Sequence, residues 1–203
     1  MTPRYLSGVR GRVEAALAST ASVTLQSAGE VVKATAPDAA GVFRLAPVAP
    51  GTYDLVMTAP GRATAVVTGV TVTADTVTDV ANAPLAPPTS PTGTLAGKVT
   101  VTPAPAVIDA SVRVQQALLP SGPTVEVAQR NADATTGEYS VVLPTAAPVR
   151  AAFTASGAAL SFAPAASSAG GYQVSARSGT AVKGPISVTV AEGATVTQGF
   201  AFP

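Results

Sequence analysis

Short runs of alternating apolar and polar residues recur along the chain. Val23 and Leu25 alternate with Ser22 and Thr24, Phe43 and Leu45 with Val42 and Arg44, and Tyr53, Leu55 and Met57 with Asp54 and Val56. A period of two sends one set of side chains to a core and the other to solvent or a second layer, which is the mark of a β-strand. Gly or Pro breaks these runs roughly every ten residues, the spacing of turns between strands. Helical periodicity is weak, and its best stretch, Val13 to Leu17, is too short to stand without tertiary support. The pattern predicts an all-β chain.

The pattern also occurs twice. Gly8-Val9-Arg10-Gly11-Arg12-Val13 matches Thr94-Leu95-Ala96-Gly97-Lys98-Val99 in type, and Ala21-Ser22-Val23-Thr24-Leu25-Gln26 matches Ala110-Ser111-Val112-Arg113-Val114-Gln115. Gly41-Val42-Phe43-Arg44-Leu45 matches Gly137-Glu138-Tyr139-Ser140-Val141, and the next marker glycine, Gly61 or Gly157, follows at the same distance in each half. Val70-Thr71-Val72-Thr73-Ala74-Asp75 returns as Val188-Thr189-Val190-Ala191-Glu192-Gly193. Matches in one order predict two homologous domains, residues 1–82 and 94–203. The proline-rich, uncharged stretch 83–93 between them reads as a stiff, extended linker. The second copy is longer, and its excess reads as an insertion at about 158–185. There Leu160, Phe162, Tyr172 and Val174 bracket an Ala/Ser/Gly-rich stretch, an added hairpin or a large surface loop.

Composition narrows the chemistry. Of 203 residues, 47% are hydrophobic and 11% charged, with 12 basic against 11 acidic side chains. Near-neutrality leaves no basic stripe for a phosphate backbone, and no aromatic platform is spaced for base stacking, so nucleic acid is not an expected partner. His, Cys and Trp are absent, which removes His-dependent nucleophile systems, His or Cys zinc sites and redox dithiols. Arg4, Arg10, Arg12 and Glu14 interrupt any apolar core near the N-terminus, so these residues do not read as a signal peptide. The most apolar stretch, residues 151–171, is diluted by Ser, Thr, Pro and Gly and makes a poor membrane span.

The first copy carries Ala40-Gly-Val-Phe-Arg-Leu-Ala-Pro-Val-Ala-Pro-Gly-Thr-Tyr-Asp-Leu, then Ala59-Pro-Gly-Arg and Gly69-Val-Thr-Val-Thr-Ala. It resembles the carboxypeptidase regulatory-like domains, which share a transthyretin-like (prealbumin-like) β-sandwich and are close in architecture to collagen-binding B-type (CnaB-like) repeats. The resemblance covers most of residues 7–81 and is weaker over 94–203, where Pro50-Gly51-Thr52-Tyr53 is replaced by Ala146-Ala147-Pro148-Val149. It implies two tandem Ig-like, prealbumin-like β-sandwiches and a non-catalytic module of bacterial surface, secreted or transport proteins. Some B-type repeats form a Lys–Asn or Lys–Asp isopeptide promoted by a buried acid. Lys98 and Glu138 are placed for such a role, but the last strand has no Asn or Asp to receive the lysine and the first copy has Arg12 where Lys is needed. Lys98 therefore reads as a solvated strand residue.

Carboxylates are the remaining acid–base groups. Asp54, Asp75 and Glu192 read as strand-face or turn acids rather than a paired glycosidase site. Asp75 with Asp79, and Asp133 with Asn131, fall short of a calcium loop, so no metal and no cofactor is expected. Phe43, Tyr53, Tyr139 and Phe153 fall on core-facing positions. Tyr5, Phe162, Tyr172, Phe200 and Phe202 are left as candidates for exposure, and Phe162, Tyr172, Phe200 and Phe202 are the candidate interaction residues. The expected role is a structural or adhesion protein, extracellular or at the cell surface. Its partners would be other proteins or copies of itself, met through sheet edges or the C-terminal strand. A carbohydrate-binding module and a virion component of phage tail or capsid are the alternatives.

Overall fold

A computed structural model describes residues 7–81, 83–105, 107–117, 124–154, 160, 162 and 170–203. The chain divides into two compact units, 1–89 with 148–165, and 90–147 with 166–203. All structural statements below concern the described residues.

In the first unit the alternating runs become β1 (Gly8–Arg12), β2 (Ser22–Ser27), β3 (Glu30–Thr35), β4 (Val42–Leu45), β5 (Gly51–Thr58), β6 (Ala65–Val72) and β7 (Val77–Asp79). The helical stretch is a single 3-10 turn, Ala15–Leu17, which buries Leu17. One sheet has the order β4-β1-β7, with β7 parallel to β1. The other contains β6-β5-β2-β3, paired antiparallel. Val9 of β1 and Val13 just after it, Phe43 and Leu45 of β4, Val23 and Leu25 of β2, and Leu55 and Met57 of β5 are all buried. They are the apolar members of each alternation, as a two-layer sandwich requires. Gly11 is a glycine because the Phe43 ring lies on it: a Cβ there would stand 2.6 Å from the ring.

The second unit repeats the plan with β8 (Thr92–Val101), β9 (Ala110–Ala117), β10 (Thr124–Asn131), β11 (Glu138–Pro144), β13 (Gly170–Ser178), β14 (Ala181–Val190), β15 (Thr195–Thr197) and β16 (Phe200–Phe202), the number β12 falling to Val149–Ala152. Its sheets run β11-β8-β15, with β16 also parallel to β8, and β10-β9-β13-β14. The strand orders of the two units are superposable. Gly41 and Gly137 close corresponding turns at positive φ (79° and 73°), each against the carbonyl of Val13 or Val99. Asp38 and Asp133 open those turns: Asp38 Oδ1 accepts from the N–H groups of Ala40 and Val42, and Asp133 Oδ1 from those of Thr135 and Thr136.

Three expectations change. First, the stretch read as an insertion over 158–185 includes β13 and half of β14, which are core strands: Tyr172, Val174 and Ala176 are buried. Gly51-Thr52-Tyr53 of β5 reappears as Gly170-Gly171-Tyr172 of β13, with Tyr53 opposite Val70 and Tyr172 opposite Val188. The extra chain therefore lies between β11 and β13, at 145–169, where the first unit uses only residues 46–50 to join β4 to β5. Second, part of that extra chain, β12 (Val149–Ala152), pairs parallel with β6 as a fifth strand of the first unit's larger sheet. Residues 148–165 thus group with the first unit although the sequence reading placed them in a second domain of 94–203. Third, the 83–93 stretch is not a free spacer. Leu85 is buried and donates its N–H to the Arg12 carbonyl, and the Pro88 carbonyl accepts from Ala63 N–H. Gly157, Tyr5 and most of the Ala/Ser/Gly-rich segment lie outside the described residues.

Candidate functional site

The aromatic residues singled out for interaction are mostly spent on the second unit's core. Phe200 and Phe202 are each 4% exposed and point from β16 into the core cluster with Leu95, Val99 and Tyr139. Expected exposure of Phe202 is overturned by a cover as well as by burial: the Lys183 ammonium lies 5.8 Å from its ring centre. Tyr172 is 2% exposed, and its hydroxyl donates to the Pro144 carbonyl. Burial drives its pKa up, and burial likewise pushes Tyr139, whose hydroxyl donates to the Gln198 carbonyl at 2.6 Å, up to about 12. Of the four candidates, Phe162 alone keeps partial exposure. Among the residues expected in the core, Phe43 and Tyr139 are buried while Tyr53 and Phe153 are only partly so, Tyr53 donating its hydroxyl to the Ala49 carbonyl.

The charged groups serve the framework. Arg10 on β1 binds Asp79 on β7 through both carboxylate oxygens, at 2.5 and 2.9 Å. The hydrogen bonds and charge of Arg10 hold the Asp79 carboxyl below its ordinary range. Arg62 pairs with Glu14 at 3.3 Å and donates to the Pro87 carbonyl, while Arg113 pairs with Glu126 across β9 and β10. Backbone N–H donors, led by that of Thr136, depress the Asp133 carboxyl likewise. Among the described residues no three His, Cys, Asp or Glu side chains group as a metal site.

Lys98 and Glu138 stand opposite one another on β8 and β11, both exposed, beside an open depression lined by Ala96, Gly97, Tyr139, Ser140 and Thr197. The depression has a simple origin. Register makes Ala96 and Thr197 the counterparts of Arg10 and Asp79, so small side chains stand where the first unit has a bidentate ion pair. An exposed lysine lacks the desolvated setting that an isopeptide requires.

The sheet edges carry the sharpest contrast between the units. β12 covers the outer edge of β6 over Ala65–Thr68, with Val149 N–H donating to the Thr64 carbonyl (2.8 Å) and Phe153 N–H to the Thr68 carbonyl (2.9 Å). β14 is the corresponding strand of the second unit, and among the described residues no strand covers its outer edge. The pairings Met57–Ala65 and Leu55–Val67 correspond to Ala176–Lys183 and Val174–Ile186, so Lys183-Gly184-Pro185-Ile186 stand where β6 has Ala65-Val66-Val67. Gly184 has φ of 99° and Pro185 has no N–H, and together they bulge opposite Ser175. Lys183 pairs opposite buried Ala176 but is itself exposed. A bulge, a proline and an edge lysine are recognised means of blocking strand addition at an edge. Over Ala65–Val67 the covered edge of β6 carries no proline and no charge, and its own bulge falls just beyond, at Thr68–Gly69, where Gly69 has φ of 76°.

Sequence reasoning missed β12 because Val149-Arg150-Ala151-Ala152 is short and barely alternates. The β14 guard was visible as Lys183-Gly184-Pro185, but only once its strand was aligned with β6.

Comparison with known proteins gives a family match and two distant structural likenesses. No curated protein matches the chain. A leucine-rich repeat protein from Bacteroides thetaiotaomicron is similar at 15% identity and a TM-score of 0.32, over 99% of this chain. A streptococcal ancillary pilin is similar at 13% identity and a TM-score of 0.29, over 96% of this chain. The chain spans 26% of the length of the first and 62% of the second. Residues 8–86 match the carboxypeptidase regulatory-like domain family, a span that begins with β1, passes through β7 and takes in buried Leu85. The match to the carboxypeptidase regulatory-like domain family thus falls on the β1–β7 sandwich of the first unit.

Proposed function

We propose that the protein is a non-catalytic structural or adhesion component of a bacterial cell-surface or extracellular assembly. The observation that carries this reading is the use made of its charged groups. Arg10, Arg62 and Arg113 are tied to Asp79, Glu14 and Glu126, and Asp38 and Asp133 to turn N–H groups, rather than converging on a cleft. A carboxypeptidase regulatory-like domain in the first unit supports the same role. No helix among the described residues is long and apolar enough to cross a membrane. Burial of Tyr172, Phe200 and Phe202 removes three of the four rings on which carbohydrate stacking would have depended.

The test is immunolabelling of intact producing cells together with fractionation. Label on the cell exterior or in the extracellular polymer fraction is expected. Co-purification with phage particles would establish the virion alternative, and confinement to the cytosol would contradict both.

A further inference from the structure

We propose that the outer edge of β6 is a strand-acceptor site, and that a second copy of this chain fills it by exchanging its own Val149–Ala152 strand. This rests on, and deepens, the assembly reading above by naming the partner.

The carboxypeptidase regulatory-like match ends at residue 86, and β1 to β7 within it already form two packed sheets. β12 comes from outside that match, so the β6 edge is an edge of the family domain to which this chain adds an occupant. The hold is short. The register runs over four residues, from Val149 opposite Ala65 to Ala152 opposite Thr68, and Val149 is the one β12 side chain that is buried. A strand of this length can leave without dismantling the core formed by Val23, Leu25, Leu55 and Met57.

The edge it covers is built for occupation. Ala65, Val66 and Val67 offer no charge or proline, and β6 bulges only after them, at Thr68–Gly69, whereas the corresponding stretch of β14, uncovered among the described residues, carries Lys183 and Pro185 together with its bulge. Edges left open are guarded and edges kept paired need no guard. The connection that bears β12 runs from 145 to 169, against 46 to 50 in the first unit, so the strand is carried on chain that the second sandwich does not need in order to close. Every bond a chain makes to its own β12 can be remade with the β12 of another copy. Exchange therefore leaves the contact energy nearly unchanged, and concentration decides the outcome. The equivalent exchange at β14 is blocked by Pro185, whereas β6 keeps every N–H donor over Ala65–Thr68.

The chain has no cysteine, so introduced thiols are unique. Thr68 and Ala152 stand opposite one another in the β6–β12 register, and neither is buried. Chains carrying Thr68→Cys alone and Ala152→Cys alone are mixed, incubated at rising concentration and oxidised, with circular dichroism confirming that both fold. The expected product is a disulfide-linked heterodimer in excess of the two homodimers, rising with concentration, while the double variant closes within one chain when dilute. The proposal is overturned if the double variant closes within one chain at every concentration and the mixture gives heterodimer only in the random proportion, about half of all dimers. That outcome combined with surface labelling leaves the proposed function standing, so the two failures are distinguishable.

Discussion

Replacing Ala151 by proline tests whether β12 is an integral strand. In the parallel ladder Val149 and Phe153 donate to Thr64 and Thr68, which puts the Ala151 N–H at the Val66 carbonyl between them. Proline removes that donor. The lost bond is worth ~1 kcal/mol net. A carbonyl stranded on Val66, whose exposure is 0%, adds ~1–3 kcal/mol, giving about 2–4 kcal/mol in all. Ala152→Pro is the control, since the alternation turns its N–H away from β6, and both variants share any effect of proline on the unfolded chain. Urea titration of the two variants at equal concentration reads the difference, and sedimentation reads the second consequence, concentration-dependent association of Ala151→Pro through the uncovered β6 edge. Equal midpoints for the two variants would refute the reasoning, because the donor lost at 151 would then have had no partner.

Lys183→Val with Pro185→Val removes the guard on β14, and the double variant is expected to self-associate in sedimentation at concentrations where the parent does not, with its circular dichroism unchanged. Gly137→Ala meets both a positive φ and the Val99 carbonyl and is expected to cost ~3 kcal/mol or more, against ~1–2 kcal/mol for Gly193→Ala, where φ is positive but the space is open; thermal denaturation separates them. Deleting residues 200–203 is expected to unfold the second unit, because Phe200 and Phe202 are core residues, and retention of its near-ultraviolet circular dichroism would contradict their burial. Tyr139 and Tyr172 have folded pKa values raised by burial above the ordinary 10.0, so their contribution to stability is complete below about pH 10 and is lost as pH rises towards 12 and beyond. The urea midpoint should hold from pH 7 to 9 and fall above 10, less steeply in Tyr172→Phe.

The fold was legible wherever side-chain alternation met a turn residue with a definite job. Phe43 and Leu45 of β4 follow Gly41, and Tyr139 and Val141 of β11 follow Gly137, so core faces and register could be read together. The second half was misaligned after β11 because Ala146-Ala147-Pro148-Val149 was set against Pro50-Gly51-Thr52-Tyr53. The true counterpart, Gly170-Gly171-Tyr172, lies beyond the added chain. That single misalignment turned two core strands into a supposed surface insertion and left Tyr172 among the exposed candidates. Phe200 and Phe202 share a face, as alternation shows, but whether that face meets a neighbour or the chain's own core depends on what β8 and Lys183 place over it. β12 was illegible for a different reason: four residues supply too little periodicity, and their partner, β6, lies more than eighty residues earlier in the chain.

Native-state hydrogen exchange along residues 149–153 tests most directly whether this segment completes the first unit's sheet. A strand held on one side only protects alternate amides. The account predicts slow exchange at Val149, Ala151 and Phe153 and fast exchange at Arg150 and Ala152. Uniformly fast exchange across all five would contradict it.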